Sequence, residues 1–313
     1  MILGLYVPRR SFFVFAGPLA RAAKRRGHEV VYVGDPADAK PDDEWTKDEL
    51  PEAIAGDVVI RPEMFAGDWL AGPPPLPYVR GVKWCHLEAW YDQLTVRADF
   101  AHVQHRTLRH GMLALDGLAD VPFTDERHLL WFPPKTRIPG PHRAWRYAMT
   151  CVLAIVLWRA ARHARVKLLI KTRAKIRLPK LVEVLADEVL GDDTLYPWAS
   201  LTALRRASLA VVHQSAAGCE AAAAGVLALS VRLPQWHLRH CGTYALMRAR
   251  QGSPYAWPGV VESMSVEGAA RWLDHWEPTM TQDHEARRAY VDSWLAGRTR
   301  GVAEEIIQRM EAM

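Results

Sequence analysis

The chain has only four cysteines in 313 residues, Cys85, Cys151, Cys219 and Cys241, and none forms a Cys-x-x-Cys pair. That argues against a zinc ribbon or a disulfide framework and fits a reducing compartment, so the expected localisation is cytoplasmic. Long apolar runs are also scarce. The longest, Ala148–Trp158, is well short of the roughly 20 residues that cross a bilayer. It reads as a buried helix between domains, with a membrane-surface helix as the alternative. Arg9-Arg10 follow the first apolar run, the wrong order for a secretory signal. Internal repeats, low-complexity tracts and hairpin signatures are missing. His102, His105 and His110 stand three and five apart, which keeps them off one helical face, and no acids complete a set, so no metal is expected.

What is present is a soluble-type composition, 50% hydrophobic, with a net charge of +5. The excess is clustered at Arg9-Arg10, Lys24-Arg25-Arg26, Arg159 to Arg177 and Arg205-Arg206. Such clusters suit anionic partners: nucleotides, phospholipid head groups or nucleic acid. Strand and helix patterns alternate. Met1–Val7 reads as a strand, Gly17–Gly27 as a helix and Glu29–Gly34 as a strand, the opening of a parallel sheet. Further strands are expected at Asp57–Ile60, Val82–His86 and Phe100–Val103.

Phe132–Pro141, with four prolines and a glycine, reads as a linker between domains. Beyond it the pattern predicts a long helix over His142–His163, a strand over Val166–Thr172, and helices over Lys180–Leu190 and Leu201–Arg206. Three more helices are expected at Val266–Trp276, His284–Leu295 and Val302–Met310. The expected fold class is α/β, with two lobes of parallel sheet at 1–138 and 139–283 facing a cleft. Helices over 284–313 should pack back across the lobes.

The most informative stretch is Leu209–Pro234, LAVVHQSAAGCEAAAAGVLALSVRLP. An apolar strand meets a turn of small residues, an alanine-rich helix follows, Gly225 stops it, and a second apolar run begins. The turn sets backbone N–H groups at a helix N-terminus, where a phosphate is well held. Ser215, Ala216 and Gly218 are expected to supply those N–H groups, with Ser215 also a helix cap. Glu220 is expected in the first helical turn. Lys171 and Arg173 end a strand, at the side of an α/β sheet where ligands bind. His213 ends another and reads equally as a core histidine or a ligand contact.

These segments resemble the GT-B nucleotide-sugar transferases, most closely the branch of capsule polysaccharide transferases and CDP-glycerol glycerophosphotransferases. The likeness rests on Leu168-Leu169-Ile170-Lys171-Thr172-Arg173, on His213 through Ala221, and on Tyr290 to Ile306. It implies two Rossmann-like lobes and a metal-independent glycosyltransferase with no cofactor, the nucleotide-sugar being a co-substrate. Lys171, Arg173, His213, Ser215, Ala216, Gly218 and Glu220 would bind the donor nucleotide, with Glu220 accepting hydrogen bonds from the ribose hydroxyls.

An inverting transfer also needs a base for the acceptor hydroxyl. Lys83-Trp84-Cys85-His86-Leu87-Glu88 runs out of a predicted strand, making His86, Glu88 and then Asp92 the candidates. Arg9 and Arg10 follow the first strand and suit an anionic acceptor. Trp69, Trp84, Trp90 and Trp131 are aromatic faces in the half where an acceptor would bind. The expected acceptor is a cell-envelope saccharide or lipid-linked glycan, at a protein peripheral to the anionic inner membrane face. Three alternatives stand beside it: a transferase acting on a modified DNA base, a UDP-sugar epimerase, and a nucleotide-sugar-binding module without activity.

Overall fold

The structure, a computed structural model, describes residues 2–6, 13–33, 58–62, 83–88, 107–109, 113–134, 143–172, 177–191, 199–213, 215–232, 234, 251–295 and 297–312. The strands are β1 (Ile2–Tyr6), β2 (Glu29–Val33), β3 (Val58–Pro62), β4 (Lys83–Glu88), β5 (Thr107–Arg109), β6 (His128–Trp131), β7 (Lys167–Lys171), β8 (Glu188–Leu190), β9 (Ala207–Val212), β10 (Leu227–Val231) and β11 (Val261–Met264). The α-helices are α1 (Phe13–Arg25), α2 (Arg143–His163), α3 (Lys180–Leu185), α4 (Ala199–Arg205), α5 (Ala216–Ala224), α6 (Val266–Leu273), α7 (His284–Trp294) and α8 (Val302–Glu311). The chain divides into two compact units, residues 1–117 with 291–313, and residues 118–290.

The first unit holds a sheet in the order β2-β1-β3-β4-β5, every pair parallel. Its strand order reverses direction between β1 and β3. α1 ends where Gly27 takes φ 77°, a left-handed turn that glycine adopts without cost. α8 packs on α1 and is pinned at both ends. Asp116 accepts from the Val302 and Ala303 N–H groups at 3.2 and 2.6 Å, capping the helix start. At the far end Glu311 takes Arg26 at 2.9 and 2.6 Å and His28 at 2.6 Å. Hydrogen bonding from Arg26 holds the Glu311 carboxyl down to about 2. Burial pushes the Asp116 carboxyl up, against the pull of its backbone donors.

The second unit holds a six-stranded sheet in the order β11-β10-β9-β6-β7-β8, again all parallel. Counted from β6, this is the 3-2-1-4-5-6 order of a doubly wound nucleotide-binding sheet. The central strands β6, β9 and β10 are buried along their whole length. That is why their sequences run apolar instead of alternating. α2, α3 and α6 cover one face, around Leu129, Trp131, Leu153, Leu157, Ile170 and Val211. α4 and α5 cover the other. At the amino end of this sheet Arg206 grips Glu188 bidentately at 2.9 and 2.6 Å and Glu126 at 2.9 Å.

The expected boundary at 138/139 differs from this division. β6 lies before it and is hydrogen-bonded inside the second sheet, between β7 and β9. Prolines end a strand as readily as they end a domain, so Phe132–Pro141 follows a central strand instead of joining two lobes. The helix expected over Lys180–Leu190 stops at Leu185. Ala186 turns extended, with ψ 137°, and Glu188–Leu190 becomes the edge strand β8. Asp187 ties this turn to the neighbouring elements, accepting from the Leu168 N–H at 2.8 Å and from Arg162 at 2.6 Å. The strand expected at Phe100–Val103 lies outside the described residues.

Candidate functional site

In a doubly wound sheet a ligand sits outside the carboxyl ends of the strands, where the strand order reverses. Here that point lies between β6 and β9. The chain leaving β6 goes to α2 on one face, and the chain leaving β9 enters α5 on the other.

α5 begins as its sequence predicts. Ser215 is the N-cap, extended at φ −107° and ψ 152°, and its Oγ accepts from the Ala217 N–H at 3.4 Å. The Gly218 N–H is already bonded to the Ser215 carbonyl at 2.9 Å. Gly218 is therefore not one of the donors the sequence reading assigned. Its glycine serves packing: a Cβ there would stand 2.9 Å from Val212 Cγ2, so only glycine lets α5 start this close to β9. The N–H groups of Ser215 and Ala216 lie at the helix start, where no intrahelical acceptor exists. Gly225 ends the helix at φ 85°, with the Val226 N–H returning to the Ala221 carbonyl at 2.9 Å. Gln282 Nε2 satisfies the last carbonyls, Ala222 at 3.1 Å and Val226 at 2.8 Å.

Glu220 is half-buried and is the fifth residue of α5, one position beyond the first turn in which the sequence reading placed it. The helix dipole fades within that first turn. Its position is thus not accounted for by dipole stabilisation alone.

Lys171 closes β7 and is buried, with Nζ donating to the Thr172 carbonyl at 2.6 Å. A lysine is rarely buried without partners. Its neighbours Leu168 and Ile170 belong to the core under α2. Strand alternation puts Lys171 on the opposite face, with α4 and α5.

His213 has a structural partner. Trp131 Nε1–H donates to His213 Nε2 at 3.2 Å, joining the ends of β6 and β9, with ring centroids 6.3 Å apart. That donation fixes the tautomer, because Nε2 must be the unprotonated nitrogen and Nδ1 carries the hydrogen. Nδ1 is sealed from solvent and makes no hydrogen bond of regular geometry. Burial pushes the imidazole down to about 3; the Val231 carbonyl offsets part of this, and the Arg146 charge adds to it. His213 is neutral across the physiological range and latches the strand ends.

The sequence reading missed two residues here. Trp131 was assigned to an acceptor half, yet it lies fully buried in the second sheet. Arg146 sits buried near the start of α2. Its only signal was a cation three residues before Met149 and seven before Leu153, on the inward face of an otherwise apolar helix. His86 and Glu88 lie on β4 in the first unit, where His86 is paired with Arg61 and Thr107, and Glu88, the last residue, with Arg109. Arg9, Arg10, Asp92 and Arg173 lie outside the described residues.

Two parallel sheets, one with the doubly wound order, make this a chain of GT-B architecture with two Rossmann-like lobes. Its structural neighbours share that fold. The UDP-GlcNAc 2-epimerase of Methanocaldococcus jannaschii matches over 100% of both chains, at 11% identity and TM-score 0.54. That of Neisseria meningitidis, bound to UDP-GlcNAc, also matches over 100% of both chains, at 11% identity and TM-score 0.51. The S. aureus MnaA–UDP co-structure covers 98% of this chain and 94% of its own, at 12% identity and TM-score 0.51. No protein-family model matches the chain, and no curated protein matches it in sequence.

Proposed function

We propose that the chain is a glycosyltransferase that binds a nucleotide-activated sugar at the carboxyl edge of its second sheet. The observation that carries this reading is the Ser215-capped start of α5 at the strand-order reversal, two strands from the buried Lys171. In the transfer, the bond from the anomeric carbon to the diphosphate oxygen breaks. A bond to the acceptor oxygen forms, and the acceptor proton passes to a base. The leaving diphosphate gains charge, and preorganised N–H dipoles and a cation stabilise it without a metal. The N–H groups of Ser215 and Ala216, with Lys171 and Arg173, are assigned that role. Glu220 would accept from the ribose hydroxyls.

The base is sought in the first unit, at His86, Glu88 or Asp92, with Arg9 and Arg10 proposed to bind an anionic acceptor. The acceptor proposed is an envelope saccharide or lipid-linked glycan, following the likeness to the capsule polysaccharide and CDP-glycerol branch.

A second reading, 2-epimerisation of a UDP-sugar, is favoured by the whole-chain likeness to epimerases. A thermal-shift series over nucleoside diphosphates and their sugars tests what the two share. A ligand at about 100 times its Kd stabilises by about 2.7 kcal/mol. No response to any nucleotide would overturn both readings. Product analysis then separates them: an epimer formed without acceptor marks the second, and acceptor-dependent release of nucleoside diphosphate marks the first.

A further inference from the structure

Between Glu126 and Glu183 the sequence contains no Asp or Glu, but fourteen Lys and Arg. A chain of net charge +5 therefore concentrates more positive charge in this stretch than it carries as a whole. Within the stretch, α2 and the start of α3 pack together on one face of the second sheet.

The same side is apolar where it should be wet. At 100° per residue, Tyr147, Cys151 and Ile155 fall on the outward arc of α2, with Val152 beside them. Val152 is 52% exposed, Ile155 42% and Tyr147 51%. α3 packs on α2 and adds Leu181 and Val184, the latter 80% exposed. Arg159, Arg162, His163, Arg165, Lys167, Arg177 and Lys180 are all exposed around them. The facing acids are few: Glu183 on α3, and Asp187, which is paired to Arg162 at 2.6 Å. Among the described residues, no helix is long and apolar enough to cross a membrane.

We infer that the α2–α3 surface of the second unit docks on an anionic lipid surface, with the apolar arc at the acyl boundary and the arginines and lysines at the head groups. A monotopic contact of this kind needs an apolar face and a cationic rim together. Nucleic acid would use the cations but would leave Val152, Ile155 and Val184 exposed to water. A second copy of the chain would bring the same positive charge against itself. The inference does not depend on the nucleotide-sugar reading, and nucleotide-induced thermal shift is measured separately, so either can fail alone.

The test is flotation of the full chain with vesicles of phosphatidylcholine alone and of phosphatidylcholine mixed with phosphatidylglycerol. Binding is expected to the mixed vesicles only and should weaken with salt. Each basic residue at the surface is worth about fivefold in partitioning. Arg159→Glu with Lys180→Glu should therefore lower binding more than tenfold, and Ile155→Asp with Val184→Asp should abolish it. All four side chains are exposed, so far-UV circular dichroism should be unchanged. Three results would overturn the inference: no wild-type binding to the mixed vesicles, apolar variants that bind like wild type, or a dimer in sedimentation velocity that the same variants dissociate.

Discussion

Protonation of His213 should be a steep acid sensitivity of the second unit. Its imidazole is held down to about 3 from an ordinary value of 6.5, first by burial and then by the Arg146 charge. Geometry agrees, since Trp131 Nε1–H points at Nε2, and a proton there would set two donors against each other. The folded state thus refuses a proton that the unfolded chain accepts. Stability is full above 6.5 and falls as pH drops from 6.5 towards 3. Each pH unit in that window costs a little over ~1 kcal/mol, so a drop to pH 4.5 should cost on the order of 3 kcal/mol from this one residue.

Other groups titrate in the same range, so the comparison is with His213→Gln, whose Oε1 can still accept from Trp131. Urea unfolding of both proteins at pH 7 and about pH 4.5 should show the wild type losing ~2–3 kcal/mol more than the variant. Equal losses would refute the reasoning. So would a histidine nitrogen spectrum in which His213 titrates near 6.5 or carries its proton on Nε2.

Three further outcomes follow from the geometry. Gly218→Ala should destabilise by about 1–3 kcal/mol in denaturant unfolding, because the new methyl meets Val212 at 2.9 Å and α5 must shift. Ser215→Ala should cost about 0.5–1 kcal/mol, a weak cap at 3.4 Å, but should weaken nucleotide binding if the helix start is the phosphate site. The Glu311 clamp on α8 is lost in the same direction as the His213 contribution, on acidification, but at lower pH. Its carboxyl is held at about 2 by Arg26, so the clamp is complete above the ordinary carboxylate range and is lost as pH falls towards 2. The protection factors of α8 amides, corrected for the intrinsic pH dependence of exchange, should fall over that range in the wild type and be low already at neutral pH in Glu311→Gln.

Much of the fold was legible because parallel strands buried on both faces are written as continuous apolar runs, and capped helices carry their own punctuation. Ala207–Val212 and Leu227–Val231 are such runs, and Ser215 and Gly225 mark the ends of α5. The errors have a common cause. His128–Trp131 is four residues long, and local pattern cannot show which sheet will pair it. The proline-rich stretch after it therefore read as a domain boundary. Glu188–Leu190 is a strand paired on the edge of β7, with Asp187 bonded across to Leu168, contacts that local pattern does not show.

By itself, then, the sequence determined the α/β class, the strand–turn–helix unit at Leu209–Val231 and the residues at its turn. Those follow from periodicity, glycine and caps, which act within a few residues. The tertiary structure alone decided what the turn residues do. Packing against Val212 made Gly218 a spacer, the nearby indole of Trp131 made His213 a neutral latch, and burial gave Lys171 its place on the face of α4 and α5. Each of those roles depends on contacts between residues far apart in the chain, and these exist only once strands β6, β7 and β9 lie side by side.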